Sequence, residues 1–237
     1  MLLGGIGFFV IEDIINCLKW ISFIHMQFHT KIILISTIII YIISVVLIKI
    51  SEPSLTLLQT LFMAATCRTT GFTTVNLNNT SPMLKLILSI LMMIGGAPGS
   101  TSGGIRIASI AVIVLTMKSV FENKKDVICF YKKIDENTIK QAITNIFISI
   151  TIVFLGIIVL TKIQKINLID NIFMCVSSFS ATGLSVFNPS VLNTVAKIIL
   201  MILMFIGRIG PISVVSLFMQ DKKENKEIEY VSGKILL

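Results

Sequence analysis

Apolar residues in this chain fall in long blocks rather than in short alternating runs. Ile32 to Ile48 carries no charge, nor does Ala142 to Thr161, and Ile198 to Met219 is interrupted only by Arg208. Each approaches the roughly 20 residues that a spanning helix requires. Two shorter blocks, Leu55 to Thr66 and Leu168 to Phe179, each run into a small, polar, glycine-containing stretch. Their length predicts re-entrant helices rather than crossings. A further apolar region is split: Leu86 to Ile94, then Gly95-Gly96-Ala97-Pro98-Gly99-Ser100-Thr101-Ser102-Gly103-Gly104, then Ile105 to Met117. Five glycines and a proline in ten residues do not continue a helix. At membrane depth such a break survives only where protein buries it or it lines a wet cavity. With Met1 to Ile15 as the end of one more helix, the pattern predicts five crossings and two re-entrant loops.

Composition points the same way. Of the 237 residues, 54% are hydrophobic and 14% charged, against about 25% charged in soluble domains. Lipid is therefore the expected solvent. The net charge of +8 is read as lysine-rich cytoplasmic loops, not as nucleic-acid binding. Lys118, Lys124, Lys125, Lys132, Lys133 and Lys140 cluster in one connection, and Lys222, Lys223, Lys226 and Lys234 crowd the tail. The positive-inside rule places both in the cytoplasm, with Thr73–Pro82 and Ser185–Thr194 outside; Lys162 and Lys165 count against this orientation. The tail from Asp221 to Glu229 reads as a solvated face or a docking site. Cys17, Cys67, Cys129 and Cys175 lie far apart and are assigned no disulfide or metal role.

The chain repeats internally. Gly71 and Gly183 lie 112 positions apart, as do Gly95 and Gly207. The same shift pairs Thr70 with Thr182, Asn76 with Asn188, Lys85 with Lys197 and Met92 with Met204 without a gap. Shared hydrophobicity does not explain the matched Gly, Asn and Lys. The unit is helix, short re-entrant helix, glycine turn, helix. A partial third copy begins at Met1, where Gly4-Gly5 matches Gly95-Gly96. Its earlier half would precede Met1, so the expectation is an N-terminally truncated chain.

The turns read Thr69-Thr70-Gly71-Phe72 and Ala181-Thr182-Gly183-Leu184. A cation that sheds water needs close oxygens in return, and rings of backbone carbonyls provide them. Arg68 sits just before the first turn, where it is expected to clamp the turn's backbone rather than snorkel to an interface. Arg208 lies mid-span, at the position of Gly5 and Gly96, and is expected to face a water-filled path. Ser100, Thr101 and Ser102 are expected to satisfy carbonyls of the broken helix. A phosphate-binding loop is excluded by the absence of GxxxxGK[ST].

Thr66-Cys67-Arg68-Thr69-Thr70-Gly71-Phe72, Ser177 to Leu184, the Gly95–Arg106 loop and Gly207-Arg208-Ile209-Gly210-Pro211 together resemble the Trk/Ktr/HKT superfamily of potassium transporters. The resemblance covers nearly the whole chain. It implies an all-α membrane protein of repeated helix–pore loop–helix units, potassium-channel-like. In its terms, residues 1–30 hold the end of the second repeat and a cytoplasmic connection. Residues 31–120 form the third repeat with a broken last helix, 121–138 a cytoplasmic connection, 139–219 the fourth repeat and 220–237 a cytoplasmic tail. A selectivity filter falls on Thr69, Thr70, Gly71, Phe72, Ala181, Thr182, Gly183 and Leu184, supported by Arg68. A gate falls on Gly95, Gly96, Gly99, Ser100, Thr101, Gly103, Gly104 and Arg208. The resemblance further implies potassium, or else sodium, as the transported ion and no cofactor in this chain. It implies a multi-pass place in the cell membrane, a homodimer and a cytoplasmic nucleotide-binding regulatory subunit. The competing readings are a coupled secondary transporter with broken helices, and an inactive remnant or accessory chain. A membrane-embedded enzyme is disfavoured by the lack of GxSxG, HExxH or paired intramembrane acids.

Overall fold

The computed structural model describes residues 1–20, 26–124, 126–164, 166–211 and 213. The predicted cytoplasmic tail, the tail lysines, Lys125, Lys165 and the end of the Ile198–Met219 block lie outside them. Among the described residues the chain is helical apart from its loops and one short hairpin. In order these are α1 (Leu2–Ile6), α2 (Phe8–Trp20), α3 (Phe28–Ser51), α4 (Leu57–Thr66), α5 (Pro82–Met93), α6 (Ile107–Phe121), β1 (Ile128–Cys129), β2 (Lys132–Lys133), α7 (Glu136–Ile163), α8 (Leu168–Phe179) and α9 (Thr194–Ile209).

The two long helices, α3 and α7, are long and apolar enough to cross a membrane by length and composition. Each is followed by a short helix, α4 or α8, that matches the predicted re-entrant blocks. Local chemistry sets their ends. Thr56 caps α4 in a capping box with Gln59, and Ser81 caps α5 ahead of Pro82 at the first position.

Polar and apolar residues are arranged for a lipid solvent. Ile35, Ile38, Ile42 and Val46 of α3 are exposed, as are Phe147, Ile150, Phe154 and Ile158 of α7. Inside lie Thr60, Ser89, Asn145, Ser149 and Asn171. The buried hydroxyls of Thr60, Ser89 and Ser149 donate to carbonyls one turn back, at Thr56, Lys85 and Asn145, which removes the cost of burying them. The main core joins Met63, Leu84, Leu88, Met92, Phe173, Val176 and Phe179. It therefore sits between α4, α5 and α8 and holds both short helices together.

Two expectations are corrected. The first helix does not run unbroken to Ile15: it breaks at Gly7 (φ 88) and resumes to Trp20, because Gly7 packs on the Pro98 carbonyl, where a Cβ would come within 2.6 Å. The apolar block from Ile198 to Met219 is not one helix. Gly210 (φ 103) ends α9, and Pro211 has no N–H to extend its ladder. Arg208 therefore stands in the last turn of α9, exposed. The lysine-rich connection contains the β1–β2 hairpin, pairing Ile128 with Lys133 and Cys129 with Lys132.

Candidate functional site

The two turns adopt the same backbone. Positive φ occurs at Thr69 (62°) and Gly71 (78°), and again at Ala181 (53°) and Gly183 (85°), the positions related by the internal repeat. Thr70 and Thr182, between them, are not among the positive-φ residues. In a plain strand successive carbonyls point to opposite sides; alternating the hand of φ brings them round to one side. The conformation is unfavourable for any residue but glycine, and most so for β-branched Thr69. Such strain costs on the order of 1–3 kcal/mol per residue and persists only where surroundings enforce it.

The enforcing contacts are specific. Thr66 Oγ1 donates to the Phe72 carbonyl at 2.6 Å, and Ser177 Oγ to the Leu184 carbonyl at 2.6 Å. Each ties the last turn of a short helix to the far end of the glycine turn. The Ser180 and Thr182 hydroxyls lie 2.6 Å apart, buried. The turns also touch each other: a Cβ on Gly71 would run into the Thr182 carbonyl, so glycine is required there by both space and φ. Phe72 and Leu184 differ despite their equivalent positions. Phe72 is exposed, and Leu184 is buried.

Arg68 is buried, and its guanidinium donates to the Thr37 carbonyl of α3 at 3.1 Å. The partner differs from the expected one. The side chain anchors the turn to the outer helix and not to the turn's own carbonyls.

The Gly95–Gly104 loop lies against both turns. Thr69 Oγ1 donates to Ser102 Oγ at 2.7 Å, and a Cβ on Gly103 would approach the Ser180 carbonyl to 2.9 Å. The ends of the loop meet, with Gly95 N donating to the Ile105 carbonyl at 2.8 Å and Ile105 N to the Met93 carbonyl at 3.1 Å. On one flank Ala97 N donates to the Gly5 carbonyl at 2.8 Å and Phe8 N to the Gly99 carbonyl at 3.3 Å. On the other, Gly104 N donates to the Gly207 carbonyl at 3.2 Å, next to Arg208. Gly96 is enclosed, with Gly5 O 2.7 Å and Ser100 Oγ 2.8 Å from where a Cβ would stand. The three hydroxyls do not serve the carbonyls of their own broken helix. Thr101 reaches the Gly4 carbonyl at 3.4 Å, Ser100 accepts from Ser102 N at 3.3 Å, and Ser102 receives Thr69.

The structure thus brings together Thr69–Gly71, Ala181–Gly183 and the loop. It adds residues not singled out from sequence: Thr66 and Ser177 as ties, and the Gly4–Gly7 segment as a cradle for the loop. The match of Gly4-Gly5 to Gly95-Gly96 was the available signal for the last.

Residues 1–227 match the TrkH family, described as cation transport protein. The chain belongs to that family. It is a family of transporters, not of enzymes, and the chain is an all-α membrane protein. Among its relatives is the Ktr system potassium uptake protein B of Bacillus subtilis, 30% identical over 98% of this chain and 54% of that protein. The protein of the same name from Vibrio alginolyticus is 31% identical, over 98% of this chain and 53% of the relative. The potassium/sodium uptake protein NtpJ of Enterococcus hirae is 28% identical, over 99% and 54%. The crystal structure of the potassium transporter TrkH from Vibrio parahaemolyticus superposes with a TM-score of 0.72 at 15% identity, over 92% of this chain and 50% of that one; this likeness concerns the fold. The chain spans about half the length of the curated relatives it matches.

Proposed function

We propose that this chain supplies part of the translocation path of a potassium uptake system, with the two glycine turns as half of its selectivity filter. The observation that carries this is the repeated alternation of φ at Thr69/Gly71 and Ala181/Gly183, each turn tied at its end by a side-chain hydroxyl. Carbonyls of Thr69, Thr70, Gly71, Ala181, Thr182 and Gly183 then replace the water of a dehydrating potassium ion. Phe72 and Leu184 end the turns and hold the ties. The Gly95–Gly104 loop is the gate beneath, including Gly96, Gly99, Ser100, Thr101 and Gly103. It leaves the turns when the Thr69–Ser102 hydrogen bond parts, and Arg208 beside it repels cations. The half-length match to the curated relatives supports the reading that other repeats complete the ring. The protein sits in the cell membrane as a multi-pass chain with a cytoplasmic C-terminus, works as a homodimer, and answers to a cytoplasmic nucleotide-binding subunit.

The test is growth at low potassium of cells stripped of their own uptake systems, expressing this chain with and without the upstream coding region. Restored growth that Gly71→Ala and Gly183→Ala each abolish, at equal protein levels in the membrane, is the expected result. Growth that survives both substitutions overturns the filter assignment. No growth with either version moves the reading to an inactive or accessory chain.

A further inference from the structure

The Gly95–Gly104 loop is gripped from two sides. Toward the turns its hydrogen bond runs between side chains, from Thr69 Oγ1 to Ser102 Oγ. Toward residues 4–10 backbone meets backbone. Ala97 N donates to the Gly5 carbonyl, and the N–H of Phe8, the first residue of α2, donates to the Gly99 carbonyl. Gly7 packs on the Pro98 carbonyl, and Gly99 packs on the Phe8 ring. A Cβ on either glycine would come within 2.6 or 2.8 Å of its neighbour. Val10 of α2 is fully buried in one cluster with Ala97 of the loop and Ile107 of α6.

These contacts have no slack. A side chain swings aside when its neighbour moves, but two touching backbones do not, and a densely packed interior transmits the displacement. The Pro98–Gly99 tip therefore shifts only if α2 shifts with it or the Phe8–Gly99 hydrogen bond breaks.

The start of α2 has the geometry of a pivot. The chain breaks at Gly7, whose φ of 88° is cheap for glycine alone, and the Gly7 carbonyl accepts from Ile11 N to start α2 afresh. In the copy that begins at Met1, Gly7 corresponds to Pro98, the residue it packs on. Two helix breaks thus face each other at the same point of the repeat. Further along α2, Asp13 Oδ2 accepts from Gln27 N at 2.9 Å, at the cap of α3. The helix is therefore held at one end by the loop and in its middle by the entry to α3.

We propose that α2 is a latch on the gate: its first N–H holds the loop at Gly99, and movement of α2 about Gly7 releases it. This rests on the reading of the loop as the gate. It places a control point on the connection between α2 and α3, remote from the filter turns.

Potassium flux in cells expressing the chain with its upstream region tests the latch. Phe8→Pro deletes the N–H at a first helical position, where proline is tolerated, whereas Phe8→Ala deletes the ring and keeps the N–H. Phe8→Pro should conduct about two- to tenfold faster than Phe8→Ala, the range that one lost hydrogen bond allows, with the same potassium-over-sodium discrimination. Equal flux in the two, or a change in discrimination alone, overturns the latch. If Phe8→Pro does not reach the membrane, Gly4→Cys combined with Thr101→Cys replaces it. A Cβ on Gly4 stands 3.7 Å from Thr101 Oγ1, within the reach of a disulfide. Oxidation should abolish flux and reductant restore it, with the single-cysteine variants as controls; flux that persists through the cross-linked chain overturns the proposal. Ser102→Ala separates the latch from the gate. A rise in flux there without one in Phe8→Pro removes the latch and leaves the gate, and no rise in either removes both.

Discussion

Lys85 and Asp170 form an ion pair across the core, 2.9 Å apart, with side chains only 10% and 14% exposed. Lys85 belongs to α5 and Asp170 to the first turn of α8, so the pair joins the two halves of the internal repeat. At an effective dielectric near 20, two unit charges at that separation attract by about 6 kcal/mol. Desolvation cancels much of this, yet removing one partner of a buried pair costs about 3–5 kcal/mol because the other charge is stranded. The two single variants should not be equal. In Lys85→Met the stranded Asp170 sits near the positive end of α8, which offsets up to about 1 kcal/mol. In Asp170→Leu the stranded Lys85 sits near the positive end of α5 and gains no such help. Asp170→Leu should therefore be the worse by about 1 kcal/mol. The double variant Lys85→Met/Asp170→Leu should recover most of the loss, since an apolar pair of similar volume replaces a buried ion pair at little cost. Unfolding in mixed micelles of increasing denaturing detergent, followed by circular dichroism, gives the four free energies. Lys197 is a built-in control. It is the repeat equivalent of Lys85, but it is exposed and donates to the Ser190 carbonyl, with no ion pair among the described residues, so Lys197→Met should cost less than about 1 kcal/mol. The reasoning is refuted if Lys85→Met lies within 0.5 kcal/mol (roughly the scatter of exposed pairs) of wild type, or if the double variant is no more stable than the singles.

Other outcomes follow from the site. Ser102→Ala removes the hydroxyl that receives Thr69, a bond worth about 0.5–1.5 kcal/mol. In cells where the chain with its upstream region supports uptake, potassium flux should rise about two- to tenfold, and unchanged flux would speak against the loop as gate. Thr66→Val and Ser177→Ala each free one turn from its tie and should lower potassium-over-sodium discrimination in the same cells, read by sodium competition; intact discrimination would show that the ties are dispensable. Gly207→Ala should destabilise by about 3 kcal/mol or more, since the new Cβ runs into the Phe179 carbonyl in a core where overpacking is costly. Unfolding in mixed micelles reads this loss, and a stability equal to wild type would mean that α9 slides away from α8 freely.

The sequence by itself determined most of the architecture. The length and purity of the apolar blocks set α3 and α7, because a spanning helix is dictated by bilayer thickness. The length of two further blocks and their polar ends marked α4 and α8, and the 112-residue shift related the two turns before any geometry was known. These are properties of local pattern and solvent. Tertiary structure decided what depends on contacts between distant residues. Lys85 and Lys197 are equal by repeat, yet only Lys85 meets an acid, because Asp170 has Leu58 as its counterpart. Arg68 was placed correctly beside the turn, but its partner, the Thr37 carbonyl, is fixed by how α4 packs on α3. The end of α9 at Gly210 was hidden inside an apolar run, since hydrophobicity reports the solvent and not the backbone hand. The cradle of the loop between Gly5 and Gly207 needed three remote segments to converge. Periodicity and composition speak to the surroundings of each segment; which carbonyl, hydroxyl or charge a side chain meets is settled by packing alone.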